Sequence, residues 1–321
     1  MPGKPKKTDD EFFDGSLTFF CDEGNRLAKI NPTIVDEYRD HSLKKLIAIS
    51  YWIGIFAPIV HNKLKRIGYE VVYVDSMGGT GLTKSLRAGD CFCGSCPAAL
   101  ITAHRKGYPF DEIIAVEKDS KKAATLEKRL YSINPRPKIT VYPGDIQEVS
   151  PQINDQLKSK TVSYIVIDPE GFKGLTWSAI EPLLQCKGDA MITWFENDLV
   201  RMREAALSGA ASAEGNASRI SELLGTDEWI HTSTAQEMTD IFTQRIMSTF
   251  NKGGFQSITI SDKQKDHYKM LLFVGKSPQA QALADKWAEN MNRRLESLKG
   301  RSISSLLDVR SGRTTTLNGF G

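Results

Sequence analysis

An acidic residue followed by a glycine-rich loop is the strongest chemical signal in the sequence. The apolar run over Glu70–Asp75 ends in Asp75, and Gly78, Gly79 and Gly81 follow shortly after it. Glycine lets the backbone come close to a ligand because it has no Cβ, and in open α/β sheets the ligand lies beyond the carboxyl ends of the strands. We therefore predict a ligand-binding loop here. The alternative is a tight turn that binds nothing, since a lone glycine-rich loop is weakly specific.

Two more acidic residues stand where the next two strand-like runs end. Glu117, followed by Lys118, ends the second run, and Asp145, followed by Ile146, comes after the third. An acid at the tip of the second strand can accept hydrogen bonds from the hydroxyls of an adenosine ribose, and an acid after the third can meet the adenine amino group. The alternatives are a solvated strand end and an ordinary Pro-Gly-Asp turn.

A fourth apolar run delivers Asp168 and Pro169 to its tip, with Glu170 next. This resembles the Asp/Asn-Pro-Pro-aromatic element of amino methyltransferases, in which a carboxylate or amide orients a nucleophilic nitrogen. Methyl transfer is an in-line displacement, so positioning supplies much of the acceleration. We predict these three residues as catalytic, and Asp168 also as part of the cofactor site. The alternative is a capped turn before a helix.

An aromatic pair follows the fifth strand-like run. We predict that Trp194, Phe195 and Asn197 line the substrate pocket, because an aromatic ring there can stack on a planar substrate such as a base. The alternative is that Trp194 and Phe195 pack in the core.

The segments that must position these residues alternate between strand-like and helix-like patterns, which indicates a parallel sheet with crossover helices. A final pair of runs over 255–261 and 268–275 is joined so closely that only antiparallel pairing is possible. The pattern predicts an α/β fold, a doubly wound Rossmann-like class I methyltransferase sheet that is mostly parallel with an antiparallel last strand. The other predicted strands span 70–75, 112–117, 138–142, 162–168 and 189–195. The predicted helices span 33–67, 97–106, 120–131, 175–184, 197–224, 235–250 and 278–298. Ser120 is the predicted N-cap of the third of these helices, and the fifth has a break at 208–216.

These elements suggest a division of the chain. We predict a flexible tail over 1–15, an N-terminal helical extension over 16–67, a methyltransferase domain over 68–276 with a lid at 197–250, and a C-terminal helix and tail over 277–321.

The four acidic signals stand in the order and spacing of an S-adenosylmethionine-dependent methyltransferase (EC 2.1.1.-). We predict that Asp75 and the glycine loop approach the methionine part of the cofactor, and that Lys118 and Ile146 also belong to the cofactor site. An NAD-dependent oxidoreductase is a weaker alternative, because the sixth position of G-x-G-x-x-G, counted from Gly79, is Lys84. A catalytically inactive fold that serves as a binding partner is a third possibility. We predict a nitrogen or oxygen of a nucleic acid as the methyl acceptor, with a small molecule or a protein as alternatives.

Several segments together carry a resemblance to a known family: residues 41–44, 73–75, 78–81, 94–97, 116–119 and 167–172, with Gly174 and Trp177. They resemble the three-Cys-motif partner proteins, a group of predicted methyltransferases encoded beside radical-SAM-like proteins. The resemblance covers residues 38–200 and implies the same cofactor and a radical-SAM-like partner protein. The chain departs from the family pattern at Ser76-Met77-Gly78, at Cys96 and at Glu170, so the resemblance bears on the cofactor more than on the substrate.

Composition places weak limits on partners. Forty-two basic and 39 acidic residues give a net charge of +3, too small to imply nucleic-acid binding by itself. A solvated tail is one explanation of the basic residues near the C-terminus, and contact with phosphates is the other. They are Arg293, Arg294, Lys299, Arg301, Arg310 and Arg313.

We expect a cytoplasmic protein without a membrane span. The first residues are polar and lack the apolar core of a signal peptide, and the most apolar stretch, 46–60, is too short and is interrupted by Gly54 and Pro58. An odd count of five cysteines favours reduced thiols. Cys91, Cys93 and Cys96 form C-x-C-x-x-C, for which a zinc or iron–sulfur site is the alternative; we predict no metal.

Overall fold

The computed structural model describes residues 8–38, 40–85, 89–134, 136–157, 160–172, 175–209, 213–250, 252–261 and 267–298. The helices in these ranges are α1 (Asp9–Leu27), α2 (Asp40–Lys63), α3 (Ser95–Arg105), α4 (Ser120–Ile133), α5 (Ile146–Gln156), α6 (Trp177–Leu184), α7 (Glu196–Leu207), α8 (Ala213–Leu224), α9 (Ala235–Thr249) and α10 (Ala280–Ser297). The strands are β1 (Asp36–Tyr38), β2 (Glu70–Asp75), β3 (Leu82–Ser85), β4 (Cys91–Cys93), β5 (Glu112–Glu117), β6 (Lys138–Pro143), β7 (Thr161–Ile167), β8 (Gly188–Trp194), β9 (Gly254–Ser261) and β10 (His267–Val274).

Seven strands form the central sheet, in the order β6-β5-β2-β7-β8-β10-β9. The first five are parallel, and β10 runs antiparallel to both β8 and β9. The order reverses between β2 and β7, so the loops that follow these two strands diverge and leave a crevice at the carboxyl edge of the sheet. This confirms the predicted Rossmann-like class I methyltransferase sheet with its antiparallel last strand.

Helices cover both faces of the sheet, which explains why the parallel strands are nearly continuous apolar runs. One core cluster joins the sheet to α1, α2, α3, α4 and α10, and a second joins it to the helices α5 to α9. The predicted lid region supplies core side chains to the second cluster, among them Ile220 and Phe242. Residues 210–212, in the predicted break, lie outside the described residues.

The helix α2 is the longest apolar element. The segment Ser42–Ile67 is long and apolar enough to cross a membrane by length and composition, but 61% of its apolar window is buried inside the fold. Trp52, Ile53 and Phe56 are among its core residues. The prediction of a buried core helix over 46–60 is confirmed.

The N-terminal region differs from the sequence prediction. The helix α1 begins at Asp9, within the range predicted as a tail, because Thr8 and Glu11 form a capping box and Phe13 and Leu17 are buried. Residues 1–7, and residues 299–321 of the predicted C-terminal tail, lie outside the described residues.

A second, three-stranded sheet was not predicted. Its order is β1-β3-β4, with β1 parallel and β4 antiparallel to β3. Residues 33–38 were predicted as helical, but they form a turn and the strand β1. The helix α5 was also missed. Finally, Asp119 rather than Ser120 caps α4, since its carboxylate accepts hydrogen bonds from Lys121 N and Lys122 N.

Candidate functional site

A large cavity opens at the carboxyl edge of the sheet, where the strand order reverses. Its volume is about 1240 Å³, more than the roughly 300–1,000 Å³ of a typical ligand pocket. It brings together most of the predicted site residues: Gly78, Gly79, Gly81, Glu117, Lys118, Asp145, Ile146, Asp168, Pro169, Glu170 and Phe195. Asp75, Trp194 and Asn197 are not among its lining residues.

The glycine loop has no room for side chains. Gly79 and Gly81 have φ angles of 58° and 70°, which L-residues seldom adopt. A Cβ on Gly79 would lie 2.7 Å from Asp36 Oδ2, and one on Gly81 would lie 2.6 Å from Leu126 Cδ1. The loop is therefore a close-fitting backbone cradle at the tip of β2.

Asp75 lies beneath this cradle, on the side away from the cavity. Its buried carboxylate accepts hydrogen bonds from Met77 N at 3.2 Å, Tyr73 OH at 3.2 Å and Cys96 Sγ at 3.4 Å. Burial raises the pKa of Asp75, while the bonds it accepts oppose that shift. This carboxylate therefore points into the protein interior and not into the cavity, although we predicted that it binds the cofactor.

Ser76, which sequence analysis overlooked, lies beside the cradle. It lines the cavity, and its buried Oγ has no hydrogen-bond partner in the described part of the chain. Buried hydroxyl groups are nearly always paired, so this orphan oxygen is consistent with a polar ligand at the loop.

Glu117 stands at the tip of β5, next to the cradle. It is half-buried, and Oε1 accepts a hydrogen bond from Asp119 N at 2.8 Å. Burial raises the pKa of the Glu117 carboxyl group. A carboxylate in this position can accept hydrogen bonds from the hydroxyls of a ligand.

Asp145 and Lys118 form an ion pair at the far end of the cavity, with Lys118 Nζ 2.9 Å from Asp145 Oδ2. Asp145 is also the N-cap of α5. The hydrogen bond from Gln147 N, with help from Lys118, holds the pKa of Asp145 below its usual range. Ile146 adds an apolar surface beside the pair.

Asp36, on β1, joins the N-terminal extension to the cradle. Its Oδ2 accepts a hydrogen bond from Thr80 N at 2.7 Å, and its Oδ1 lies 2.7 Å from Lys122 Nζ. The bond to Asp36 raises the pKa of Lys122, and the negative charges of Glu117 and Glu170 add to this effect. The sequence contains no signal for this contact, because Asp36 and Lys122 lie far apart along the chain.

Lys45, on α2, reaches the predicted catalytic carboxylate. Its Nζ lies 2.6 Å from Asp168 Oδ1, and the two side chains are 11% and 22% exposed. Both residues line the cavity, together with Pro169 and Glu170. Sequence analysis missed Lys45 because a lysine within an apolar helix carries no motif.

Trp194, the last residue of β8, and Phe195, the residue after it, have different surroundings. Trp194 is fully buried, stacks on Phe242 with ring centroids 4.3 Å apart, and donates from Nε1 to Thr239 Oγ1 at 2.9 Å. It belongs to the core cluster that joins the sheet to the helices α5 to α9. Phe195 lines the cavity and contacts Tyr268 at 5.0 Å between ring centroids.

The five cysteines are free, buried thiols. Burial raises the pKa of Cys93 and of Cys96. Among the described residues, no group of three or more His, Cys, Asp or Glu side chains could hold a metal ion. The C-x-C-x-x-C segment is divided between β4 and α3, where Cys96 bonds to Asp75 instead.

Comparison with known proteins gives distant structural matches. No protein-family model and no curated protein matches the chain. Among solved structures, the methyltransferase domain of bacterial CtHen1 is 9% identical, with 68% of this chain and 96% of that chain covered and a TM-score of 0.34. The TYW2 protein of M. jannaschii, solved in complex with AdoMet, is 11% identical, with coverages of 68% and 74% and a TM-score of 0.33. These low scores carry no argument about activity, and the strand order alone assigns the fold.

Proposed function

We propose that the chain is an S-adenosylmethionine-dependent methyltransferase. One observation carries this proposal: the glycine cradle, Ser76 and Glu117 all line one cavity at the point where the strand order reverses. The antiparallel β10 favours this function over that of an NAD-dependent oxidoreductase, whose usual sheet has six parallel strands.

The residues present fit this cofactor. Ser76 and the loop over 78–81 would hold the methionine end, Glu117 the ribose hydroxyls, and Asp145 with Ile146 the adenine. The bound cofactor would supply an electrophilic methyl group on a positively charged sulfur. A negatively charged lining suits this positive charge. The described lining residues include three lysines, Lys45, Lys118 and Lys122, and six carboxylates, Asp36, Glu37, Glu117, Asp145, Asp168 and Glu170.

The methyl acceptor would lie near Asp168. A nucleic acid stays a prediction: Phe195 lines the cavity but is only 7% exposed, Trp194 lies in the core, and the three lining lysines are each paired with a carboxylate. The late basic residues Lys299, Arg301, Arg310 and Arg313 lie outside the described residues. A cytoplasmic location and a radical-SAM-like partner protein also stay predictions.

Calorimetry tests the cofactor directly. S-adenosylmethionine and S-adenosylhomocysteine should bind the full chain with one-to-one stoichiometry, and NAD should give no heat. Saturable NAD binding without binding of either sulfur compound would refute the proposal. Transfer of a tritiated methyl group from S-adenosylmethionine to RNA, DNA, protein or small-molecule fractions would then separate an active enzyme from an inactive binding fold.

A further inference from the structure

The cavity has a second half that the cofactor residues do not occupy. The glycine cradle, Glu117 and Asp145 follow β2, β5 and β6, whereas the opposite half lies near the ends of β7 and β8. There the lining is apolar and aromatic: Leu46 and Ile49 come from α2, Phe195 follows β8, and Tyr268 comes from β10. This half suits a small molecule with a flat, apolar body.

The Lys45–Asp168 ion pair lies in that half, together with the Glu170 carboxylate. A lone carboxylate at the tip of β7 would bind the N–H groups of an amine acceptor. Here Asp168 Oδ1 already accepts from an ammonium group at 2.6 Å, so this carboxylate oxygen is not free to bind an amine. An ammonium group has three N–H donors, so Lys45 can keep Asp168 and still donate to an acceptor oxygen.

The acidity of the acceptor hydroxyl group favours a phenol over an aliphatic alcohol. A phenol has a pKa of about 10, as in tyrosine, and an opposite charge within a few ångströms lowers the pKa of an acid by about 1 to 3 units. Beside Lys45, a phenol would be partly ionised near neutral pH and would become a strong nucleophile. An aliphatic alcohol is far less acidic and would gain little.

We propose that the methyl acceptor is the phenolic hydroxyl of a small aromatic compound, and that Lys45 stabilises its phenolate form; this inference rests on the proposed function. The phenolic proton passes to the Asp168 carboxylate and from there to solvent. The phenolate oxygen forms a bond to the methyl carbon while the carbon–sulfur bond breaks, and the electron pair of that bond stays on sulfur. The products are a methyl aryl ether, the neutral thioether and one proton.

Binding of 4-nitrophenol to the protein saturated with S-adenosylhomocysteine tests the role of Lys45 without turnover. The absorbance of the bound phenolate should titrate with a pKa at least about one unit below that of free 4-nitrophenol. Lys45→Met should abolish this shift, and Lys45→Arg should keep most of it. Lys44→Met, next to Lys45 but outside the cavity lining, is the matched control and should leave the shift unchanged.

Each other outcome of the titration counts against the inference. No binding of 4-nitrophenol, or a shift that survives Lys45→Met, would overturn it. The affinity of Lys45→Met for S-adenosylhomocysteine shows whether the variant is folded. If Lys45→Met does not bind S-adenosylhomocysteine, the test is the comparison of wild type with Lys45→Arg. Loss of the pKa shift of bound 4-nitrophenol in Lys45→Arg would also overturn the inference.

Methyl transfer to matched probes separates this inference from the proposed function. Tritium from S-adenosylmethionine should appear on 4-nitrophenol and not on 4-nitroaniline. Label on the amine, or only on RNA or protein in cell extracts, would overturn the phenol assignment and leave the methyltransferase proposal intact. Failure to bind S-adenosylmethionine would overturn both.

Discussion

Arg129 Nη1 donates a hydrogen bond to the main-chain oxygen of Thr80 at 2.8 Å, so a residue of α4 is bonded to the cradle itself. Its Nη2 donates to the main-chain oxygens of Ile30 and Ile34 at 2.8 and 2.9 Å. The guanidinium group is buried and joins the segment that follows α1 to the loop that follows β2. The shape of the cradle therefore depends on a residue that does not line the cavity.

Replacing Arg129 by methionine should destabilise the fold and weaken cofactor binding. Each buried carbonyl left without a donor costs about 1 to 3 kcal/mol, so we expect a loss of several kcal/mol in the free energy of unfolding, measured with urea. Lys128→Met, on the exposed side of the same helix, is the control and should change stability little. Equal stabilities of the two variants would contradict this assignment.

Gly79→Ala should weaken S-adenosylmethionine binding more than its effect on stability would suggest. The new Cβ would lie 2.7 Å from Asp36 Oδ2, so the Asp36 side chain would shift and its hydrogen bond from Thr80 N in the cradle would weaken. Gly107→Ala is a matched control, because Gly107 also has a positive φ of 79° but has open space around it. Both variants should lose about 1 to 2 kcal/mol of stability from backbone strain. Calorimetry should find reduced affinity only in Gly79→Ala.

Some elements could be predicted from the sequence alone, because they obey a strong local pattern. The bounds of β5 match the apolar run Glu112–Glu117, since a strand buried on both faces consists of consecutive apolar residues. The sheet formed by β1, β3 and β4 was missed because strands of three or four residues are too short to show a period.

Contacts between side chains that are far apart in the sequence were harder to predict than the residues at the ends of strands. The apolar runs predict that Glu117 and Asp168 lie at strand ends, where both line the cavity, but no local pattern brings Lys45 to Asp168 or Asp36 to Thr80. Trp194 was assigned to the substrate because its position at a strand end does not determine which face of the sheet it occupies.

Cofactor affinity should depend on the ionisation of Glu117. Burial raises its pKa, so the carboxylate form is lost at a higher pH than for an ordinary glutamate. Affinity for S-adenosylhomocysteine should fall as the pH is lowered through that pKa. Glu117→Gln should bind about 1 to 3 kcal/mol more weakly at neutral pH and should lack this pH dependence. Calorimetry from pH 4.5 to 8 would test this, and an unchanged pH profile in the variant would contradict it.

Asp189 should make stability pH-dependent. Burial raises its pKa to about 6, above the roughly 3.9 of an unfolded chain. Protonated Asp189 therefore contributes fully to the free energy of unfolding below about pH 4. As the pH rises through 6 and the carboxyl group ionises, the free energy of unfolding falls by about 2 to 3 kcal/mol. Asp189→Asn, which keeps an acceptor for Trp52 Nε1, should not show this loss. The difference in urea stability between wild type and variant should change across this range, and a constant difference would refute the assignment.

The cysteines should react slowly in the folded protein. All five are buried, and burial raises the pKa of the Cys186 thiol to about 11, so little reactive thiolate is present at neutral pH. Thiol titration under non-reducing conditions should find five groups in denaturant and almost none without it. Fewer than five groups in denaturant would indicate a disulfide, and stoichiometric zinc or iron by elemental analysis would indicate a metal site.

The position of β10 affects how the chain can fold during synthesis. β10 lies between β8 and β9 in the sheet, so one edge of β8 stays unpaired until residue 274 has been made. That edge includes the fully buried residues Met191 and Ile192, and an open apolar edge invites pairing with another chain. During the interval between the synthesis of β8 and of β10, a nascent chain is therefore prone to aggregate through this edge. A chain shortened before β10 would keep this edge open permanently.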